Sequence, residues 1–319
     1  MTMDFTPPVP TDTLLAAARI AGHVVRTPML RNTALDRATG ATILVKPEVL
    51  QRTGSFKLRG ATNALLRLTP EQRAAGIVTY SSGNHGQAIA CAAAALGATA
   101  TIVMPADAPA IKRDATAAWG ANIVTYDRLR DDREAIGRKI QAETGATLVP
   151  PYDHPDVIAG QGTLALELAA DAKEAGLALD ILFVPAGGGG LIAGCALGLA
   201  AVSPATKIYA VEPQGWDDTG RSLRSGQRER NDMQGSTLCD ALLAPMPGAL
   251  TFPINQKHLA GGLTVTDEEV HAAQAFAARH LKLVVEPGGA VALAALLAEK
   301  IDTAGKTVGI VLSGGNADI

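Results

Sequence analysis

Short runs of apolar and β-branched residues return between longer segments of helical character, and this alternation constrains the fold of the 319-residue chain more than any other feature. The candidate strands are Ala41–Val45, Ile77–Tyr80, Ala100–Met104, Asn122–Tyr126, Asp180–Val184, Lys207–Val211 and Val308–Leu312. Helix-like stretches fall between them, at Leu58–Leu68, Gln87–Leu96, Ala108–Trp119, Asp131–Thr144 and Gly162–Ala175. Strands separated by helices mark α/β architecture with mainly parallel sheets. Several strands are apolar almost throughout, as expected where helices cover both faces of a sheet. The length allows two lobes. No Gly/Ser linker, low-complexity tract or internal repeat divides the chain, so the lobes are expected to be interleaved.

Composition removes whole classes of function. Hydrophobic residues make up 47% and charged residues 18%, a globular balance. Aromatics are only 3%, which leaves Ala, Leu, Val and Ile to fill the interior. The net charge is −3 with no basic stripe, so no nucleic-acid partner is expected. Cys91, Cys195 and Cys239 are far apart and form no Cys-x-x-Cys pair, which reads as free thiols in a reducing compartment. Met1–Thr13 carries no basic and apolar signal pattern, and no apolar run is long and pure enough to span a bilayer. A cytoplasmic protein without a membrane partner is expected.

Four segments carry chemistry. In Thr53-Gly-Ser-Phe-Lys57-Leu-Arg-Gly60 a lysine stands just before an apolar helix, beside one of only five phenylalanines. Alone, such a lysine is a solvated helix-start residue. Shielded by Phe56, it would have a depressed pKa, which suits Schiff-base chemistry. Ser81-Ser-Gly-Asn-His-Gly86 follows a strand and opens a helix, where main-chain N–H groups and the helix dipole bind a carboxylate or phosphate. A plain N-cap would account for one polar residue of this run, not for all of them. Gly187-Gly-Gly-Gly190 lies between an apolar strand and the helix from Leu191. Four consecutive glycines carry a large entropic cost that a phosphate-wrapping loop justifies. The run has neither the spacing of a dinucleotide fingerprint nor the Lys-Ser/Thr of a Walker loop, so a nicotinamide dehydrogenase is not supported. Ser313-Gly-Gly-Asn316 ends the final strand, at the sheet edge where open α/β folds bind ligands.

In order and spacing these segments resemble the serine/threonine dehydratase and serine racemase family, the fold type II pyridoxal-phosphate enzymes. Lys46-Pro-Glu-Val-Leu-Gln-Arg-Thr-Gly-Ser-Phe-Lys57, Tyr152-Asp-His-Pro155, Ile158-Ala-Gly-Gln-Gly-Thr163, Val285-Glu-Pro287 and Val311-Leu-Ser-Gly-Gly-Asn316 carry the resemblance over essentially the whole chain. It implies two open, twisted, mainly parallel sheets flanked by helices: a large cofactor-binding domain (1–75 and 154–319) and a small mobile domain (76–153). It further implies pyridoxal 5'-phosphate joined to Lys57, which would also act as base at Cα. Phe56 would lie against the cofactor ring, Asn84 would bond its 3'-oxygen, and Ser313 would face the pyridine nitrogen. Gly187, Gly188, Gly189, Gly190 and Leu191 would hold the phosphate. Ser81, Asn84 and His85 would receive the substrate carboxylate. The activity implied is dehydration and deamination of a β-hydroxy-amino acid to a 2-oxo acid and ammonia, by a homodimer.

Three features of the sequence admit two readings each. Relatives carry a Mg²⁺ or Ca²⁺ site at a strand end, and the matching positions are Glu212, the Trp216 carbonyl and Asp218; solvated acids are the plain alternative. Ser82 stands where serine racemases place an acid–base serine and many threonine dehydratases an alanine, so it is the second catalytic candidate and admits a racemase reading. Arg133, flanked by Asp131, Asp132 and Glu134, reads as an exposed helix arginine; facing a substrate side-chain carboxylate instead, it would admit 3-hydroxyaspartate. A non-catalytic cofactor-binding protein would have lost Lys57 or the carboxylate loop, and both are present.

Overall fold

The computed structural model describes residues 5–81, 83–108 and 110–317. Among these residues nine strands form two sheets: β1 (Thr42–Pro47), β2 (Ile77–Tyr80), β3 (Ala100–Pro105), β4 (Asn122–Tyr126), β5 (Thr147–Leu148), β6 (Ile181–Pro185), β7 (Lys207–Pro213), β8 (Gly261–Val265) and β9 (Thr307–Leu312). The larger sheet has the order β1-β9-β6-β7-β8 and the smaller β4-β3-β2-β5. Every ladder is parallel. The smaller sheet is drawn from one continuous stretch of chain and the larger from the segments before and after it, so the two are interleaved in sequence.

Successive residues of a strand face opposite sides, and here both sides are filled. Ile181 and Phe183 of β6 pack with Ile310 of β9 on one face, while Leu182 and Val184 pack with Val311 on the other. In the smaller sheet Ile77 joins the apolar cluster that includes Ile89 and Ile102, whereas Val78 and Tyr80 meet Leu148 on the reverse face. This two-sided burial is the reason the strand sequences do not alternate.

All seven expected strands form, with ends shifted by two residues at most. Two more were not expected. β5 is only two residues long, and β8 begins Gly261-Gly262 at the sheet edge with a half-exposed surface, so neither carries an apolar run. Among the described residues no helix is long and apolar enough to cross a membrane. Cys91, Cys195 and Cys239 are free and buried, as read from the sequence.

Candidate active site

The carboxyl ends of parallel strands leave main-chain groups and loop residues facing outward, and here the ends of β2, β6 and β9 open on one cleft of about 140 Å³. Lys57 enters it as the first residue of the helix Lys57–Leu66. The turn before it is stitched to the exit of β9: Ser55 pairs with Gly314, and the Phe56 N–H donates to the Ser313 carbonyl at 3.0 Å. Lys57 Nζ donates to the Pro151 carbonyl at 2.7 Å and lies 5.2 Å from the centroid of the Phe56 ring. Burial pushes the lysine down to about 8, partly opposed by the Glu286 carboxylate. A substantial fraction of the amine is therefore neutral and nucleophilic near physiological pH.

Two residues on, Arg59 points away from the cleft into a buried ion network. Its guanidinium grips Glu48 through Nε at 2.8 Å and Nη2 at 2.9 Å, and Glu167 through Nη1 and Nη2, both at 2.8 Å. Lys46 Nζ donates to Glu167 at 2.6 Å and to the Thr27 carbonyl at 2.7 Å. The network pins the first turn of the lysine helix to β1.

The glycine run leaves β6 as a loop and enters the helix Gly190–Val202. Its shape excludes side chains. Gly189 has φ +90°, and a Cβ there would stand 2.8 Å from both Asn255 Nδ2 and Thr251 Oγ1. A Cβ on Gly188 would lie 2.4 Å from the Tyr152 ring. Gly187, Gly188, Gly189, Gly190 and Leu191 all line the cleft, a main-chain concavity at a helix N-terminus suited to an anion. Ser313 is also on the wall, and Phe56 with it.

The smaller sheet supplies the opposite wall. Ser81 follows β2 and Asn84 begins the helix Asn84–Ala95; both line the cleft with His85. Ser82, the expected second acid–base residue, lies outside the described residues. The Asn84 amide is fixed from two sides, donating to Glu286 Oε1 at 2.5 Å and accepting from Asn316 Nδ2 at 2.8 Å. His85 turns its Nε2 to the Val149 carbonyl at 3.2 Å, and burial, with the nearby Lys57 charge, pushes it down to about 3. An anion in the cleft would therefore meet it as a neutral dipole rather than as a cation.

Arg133 corrects its exposed reading. The residue is half-buried, its guanidinium carbon lies 5.7 Å from the centroid of the Tyr80 ring, and it lines the cleft. Tyr80 closes the end of β2 and gives the cation a flat apolar seat, which acidic neighbours along the helix could not reveal. Other wall residues had no assigned role: Lys112, whose Nζ reaches Asp240 across the cleft at 2.5 Å, and Glu286. Burial pushes Glu286 up to about 7, and its Oε2 has no partner. Glu286 lay within the Val285-Glu-Pro287 motif, whereas Lys112 had no local signal.

The metal candidates meet at the end of β7. Glu212 is fully buried and accepts from the Thr219 and Gly220 N–H groups, each at 2.8 Å. Asp218 accepts from Asn231 Nδ2 at 2.6 Å, while its Oδ2 has no partner. Burial pushes Glu212 up to about 8, with Asp218 adding to the rise, and burial pushes Asp218 up to about 7. Two buried acids with a free oxygen form an oxygen-donor set for a hard cation, and the Trp216 residue between them is itself buried.

An amine of lowered pKa can condense with an aldehyde, and the side-chain-free anion cradle beside it suits a phosphate. The residues therefore fit a phosphorylated aldehyde cofactor, which defines a Schiff-base enzyme. Residues 20–314 match the family described as pyridoxal-phosphate dependent enzyme. The chain is 47% identical over 313 residues to L-threo-3-hydroxyaspartate ammonia-lyase of Saccharomyces cerevisiae, covering 98% of this chain and 94% of that protein. It is 42% identical to serine racemase of Schizosaccharomyces pombe, covering 97% and 94%. The crystal structure of threonine deaminase from T.th. superposes with a TM-score of 0.92 at 42% identity, covering 98% of this chain and 99% of that one. The chain belongs to the pyridoxal-phosphate-dependent enzyme family, with the fold type II architecture of two parallel sheets. It is a lyase that dehydrates and deaminates a β-hydroxy-amino acid, giving a 2-oxo acid and ammonia.

Proposed function

We propose that the substrate is a β-hydroxy-amino acid with a carboxylate on its side chain, 3-hydroxyaspartate, and that the products are the corresponding 2-oxo diacid and ammonia. The observation that carries this reading is Arg133, a cation seated on Tyr80 within the cleft wall, with no acid within salt-bridge distance among the described residues. A guanidinium so placed binds a second carboxylate at the end of the substrate opposite Cα. L-threo-3-hydroxyaspartate ammonia-lyases of S. cerevisiae and Pseudomonas sp, at 47% and 48% identity, support it.

In this reading Lys57 carries the cofactor, Phe56 lies against its ring, Asn84 bonds its 3'-oxygen, Ser313 faces its ring nitrogen, and Gly187 to Leu191 hold its phosphate. The bound cofactor supplies an electron sink for the charge that develops at Cα. Ser81, Asn84 and His85 receive the α-carboxylate and thereby aim the Cα–H bond at the Lys57 amine, which takes the proton. Ser313 offers a hydroxyl and no fixed charge, so it does not hold the ring nitrogen protonated, and prompt loss of the β-hydroxyl is favoured. Ser82 is the second acid–base group, and it supports a second reading, racemisation, to which the S. pombe serine racemase adds weight. Glu212, the Trp216 carbonyl and Asp218 bind Mg²⁺ or Ca²⁺. Residues 76–153 form the small mobile domain against 1–75 with 154–319. The protein works in the cytoplasm as a homodimer, for which Leu14 and Leu15, exposed together on the helix Pro10–Ile20, offer apolar surface.

The test measures 2-oxo acid and ammonia release from 3-hydroxyaspartate, threonine and serine by the wild type and Arg133→Ala. The variant should lose about 10²-fold in kcat/KM on 3-hydroxyaspartate, the value of a charge-assisted bond or two, and under about threefold on serine. Equal losses on both substrates would remove Arg133 from substrate selection. Interconversion of L- and D-serine faster than ammonia release would favour the racemase.

A further inference from the structure

We infer that Asp153 and Thr251 are positioning residues that hold the glycine loop in its anion-binding form, an inference that rests on the reading of Gly187–Gly190 as the phosphate site. Thr251 begins the helix Thr251–His258 and stands behind the loop, outside the cleft wall. Its Oγ1 donates to the Gly188 carbonyl at 2.8 Å, and the Gly248 N–H donates to the same oxygen at 3.2 Å. In a trans peptide the C=O and the following N–H point in opposite directions. Holding the Gly188 carbonyl back toward the helix therefore turns the Gly189 N–H forward to the cleft.

Between two glycines that peptide has little intrinsic preference, because neither residue restricts φ or ψ through a side chain. Flipped, it would aim a carbonyl oxygen at the anion instead of a donor. The Thr251 hydroxyl is the side-chain contact on that carbonyl, and Asp153 fixes Thr251. The Asp153 carboxylate accepts from the N–H groups of Ala249 at 2.8 Å, Leu250 at 2.8 Å and Thr251 at 3.3 Å, which secures the start of the helix. Its neighbour Tyr152 packs directly against Gly188, leaving no room for a Cβ there. The Tyr152-Asp153 pair thus braces the loop twice, by contact on Gly188 and by hydrogen bonds through the helix that carries Thr251.

The test is a titration of cofactor-stripped, full-length protein with pyridoxal 5'-phosphate and with pyridoxal, which lacks the phosphate. Thr251→Val should weaken the phosphorylated ligand about tenfold, the effect of misplacing one donor to a charged group, and pyridoxal less than about twofold. Thr251→Ser should restore the wild-type ratio, and the ³¹P resonance of the bound cofactor should move in the valine variant and return in the serine one. Asp153→Ala should lower the ratio in the same direction. Equal weakening of both ligands, or no change in the ratio, would overturn the relay while leaving the loop assignment in place. A wild type that binds both ligands equally would instead overturn the phosphate reading of the loop itself.

Discussion

Two buried charge clusters lie in the larger half of the molecule, and they are built on opposite principles. Around Arg59, two cations and two carboxylates are matched, and each charged group of the set has a partner at 2.6–2.9 Å. Burial works against Glu48, yet the Arg59 charge and its hydrogen bonds hold that carboxyl below its ordinary value. Around Glu212 and Asp218, two acids are buried together with main-chain and amide donors but no cationic side chain bonded to either, and both carboxyls rise. The first cluster is complete in itself and explains a fixed scaffold. The second has no bonded cationic side chain, and the divalent cation proposed for it would supply the missing charge to hard oxygen donors.

The largest effect of a single substitution is expected at the matched cluster. Arg59→Ala leaves Glu48 without its bonded cation and Glu167 with Lys46 alone, and unfolding by denaturant should show a loss of about 3–5 kcal/mol. A loss under about 1 kcal/mol would mean that the network is not the fixed frame described. At the unmatched cluster the expected effect is next in size. Chelation should lower the melting temperature, and Mg²⁺ or Ca²⁺ at a hundredfold excess over its Kd should return about 2.7 kcal/mol. Glu212→Gln should abolish that response. A chelated protein with unchanged melting temperature would mean that the buried acid pair holds no cation.

The cleft supplies an intermediate case. Glu286 rises on folding from its ordinary 4.5 to about 7 because it is buried, with Lys112 and Lys57 opposing and Asp240 reinforcing the rise. A carboxyl raised in this way stabilises the fold fully at low pH, and that contribution fades as pH climbs from about 4.5 through 7. In cofactor-free protein, Glu286→Gln should therefore flatten the fall in melting temperature over this range, an effect of about 2–3 kcal/mol. An unchanged profile would show that the folded state leaves Glu286 at its ordinary value. The smallest effect belongs to solvent-exposed pairs. Lys139 and Glu143, 3.9 Å apart on one helix and both largely exposed, should tolerate Lys139→Ala with no measurable change in melting temperature.

The sequence disclosed much of this because parallel strands buried on both faces must be apolar throughout, which is easy to see in Ile181–Pro185 or Thr307–Leu312. β8 escaped notice because its Gly261-Gly262 start lies at a sheet edge, where burial imposes no such pattern. Lys57 and the four glycines were legible because their chemistry is local: a helix start, a strand exit, a run with no side chains. Arg133 was misread because its environment is not local. Its acidic neighbours in sequence suggest solvent, while the ring beneath it comes from Tyr80 on another element. Asn84, Glu286 and Asn316 meet only through the tertiary fold, and their hydrogen-bond order could not be read from any single motif.

The position of β9 also governs when the enzyme can come into being. It follows every other strand in sequence yet is inserted between β1 and β6, in the interior of the larger sheet. Until it is seated, Ile310 has no partners in Val45 and Phe183, and neither Ser313 nor Gly314 can meet the Phe56 and Ser55 turn that presents Lys57. Such long-range pairing makes folding slow and leaves the two flanking strands with open edges while the chain is being synthesised. A ribosome-bound chain stopped short of Thr307 should expose those edges to chaperones or to aggregation, and it should gain no high-affinity aldehyde capture at Lys57, whereas a chain that includes β9 should.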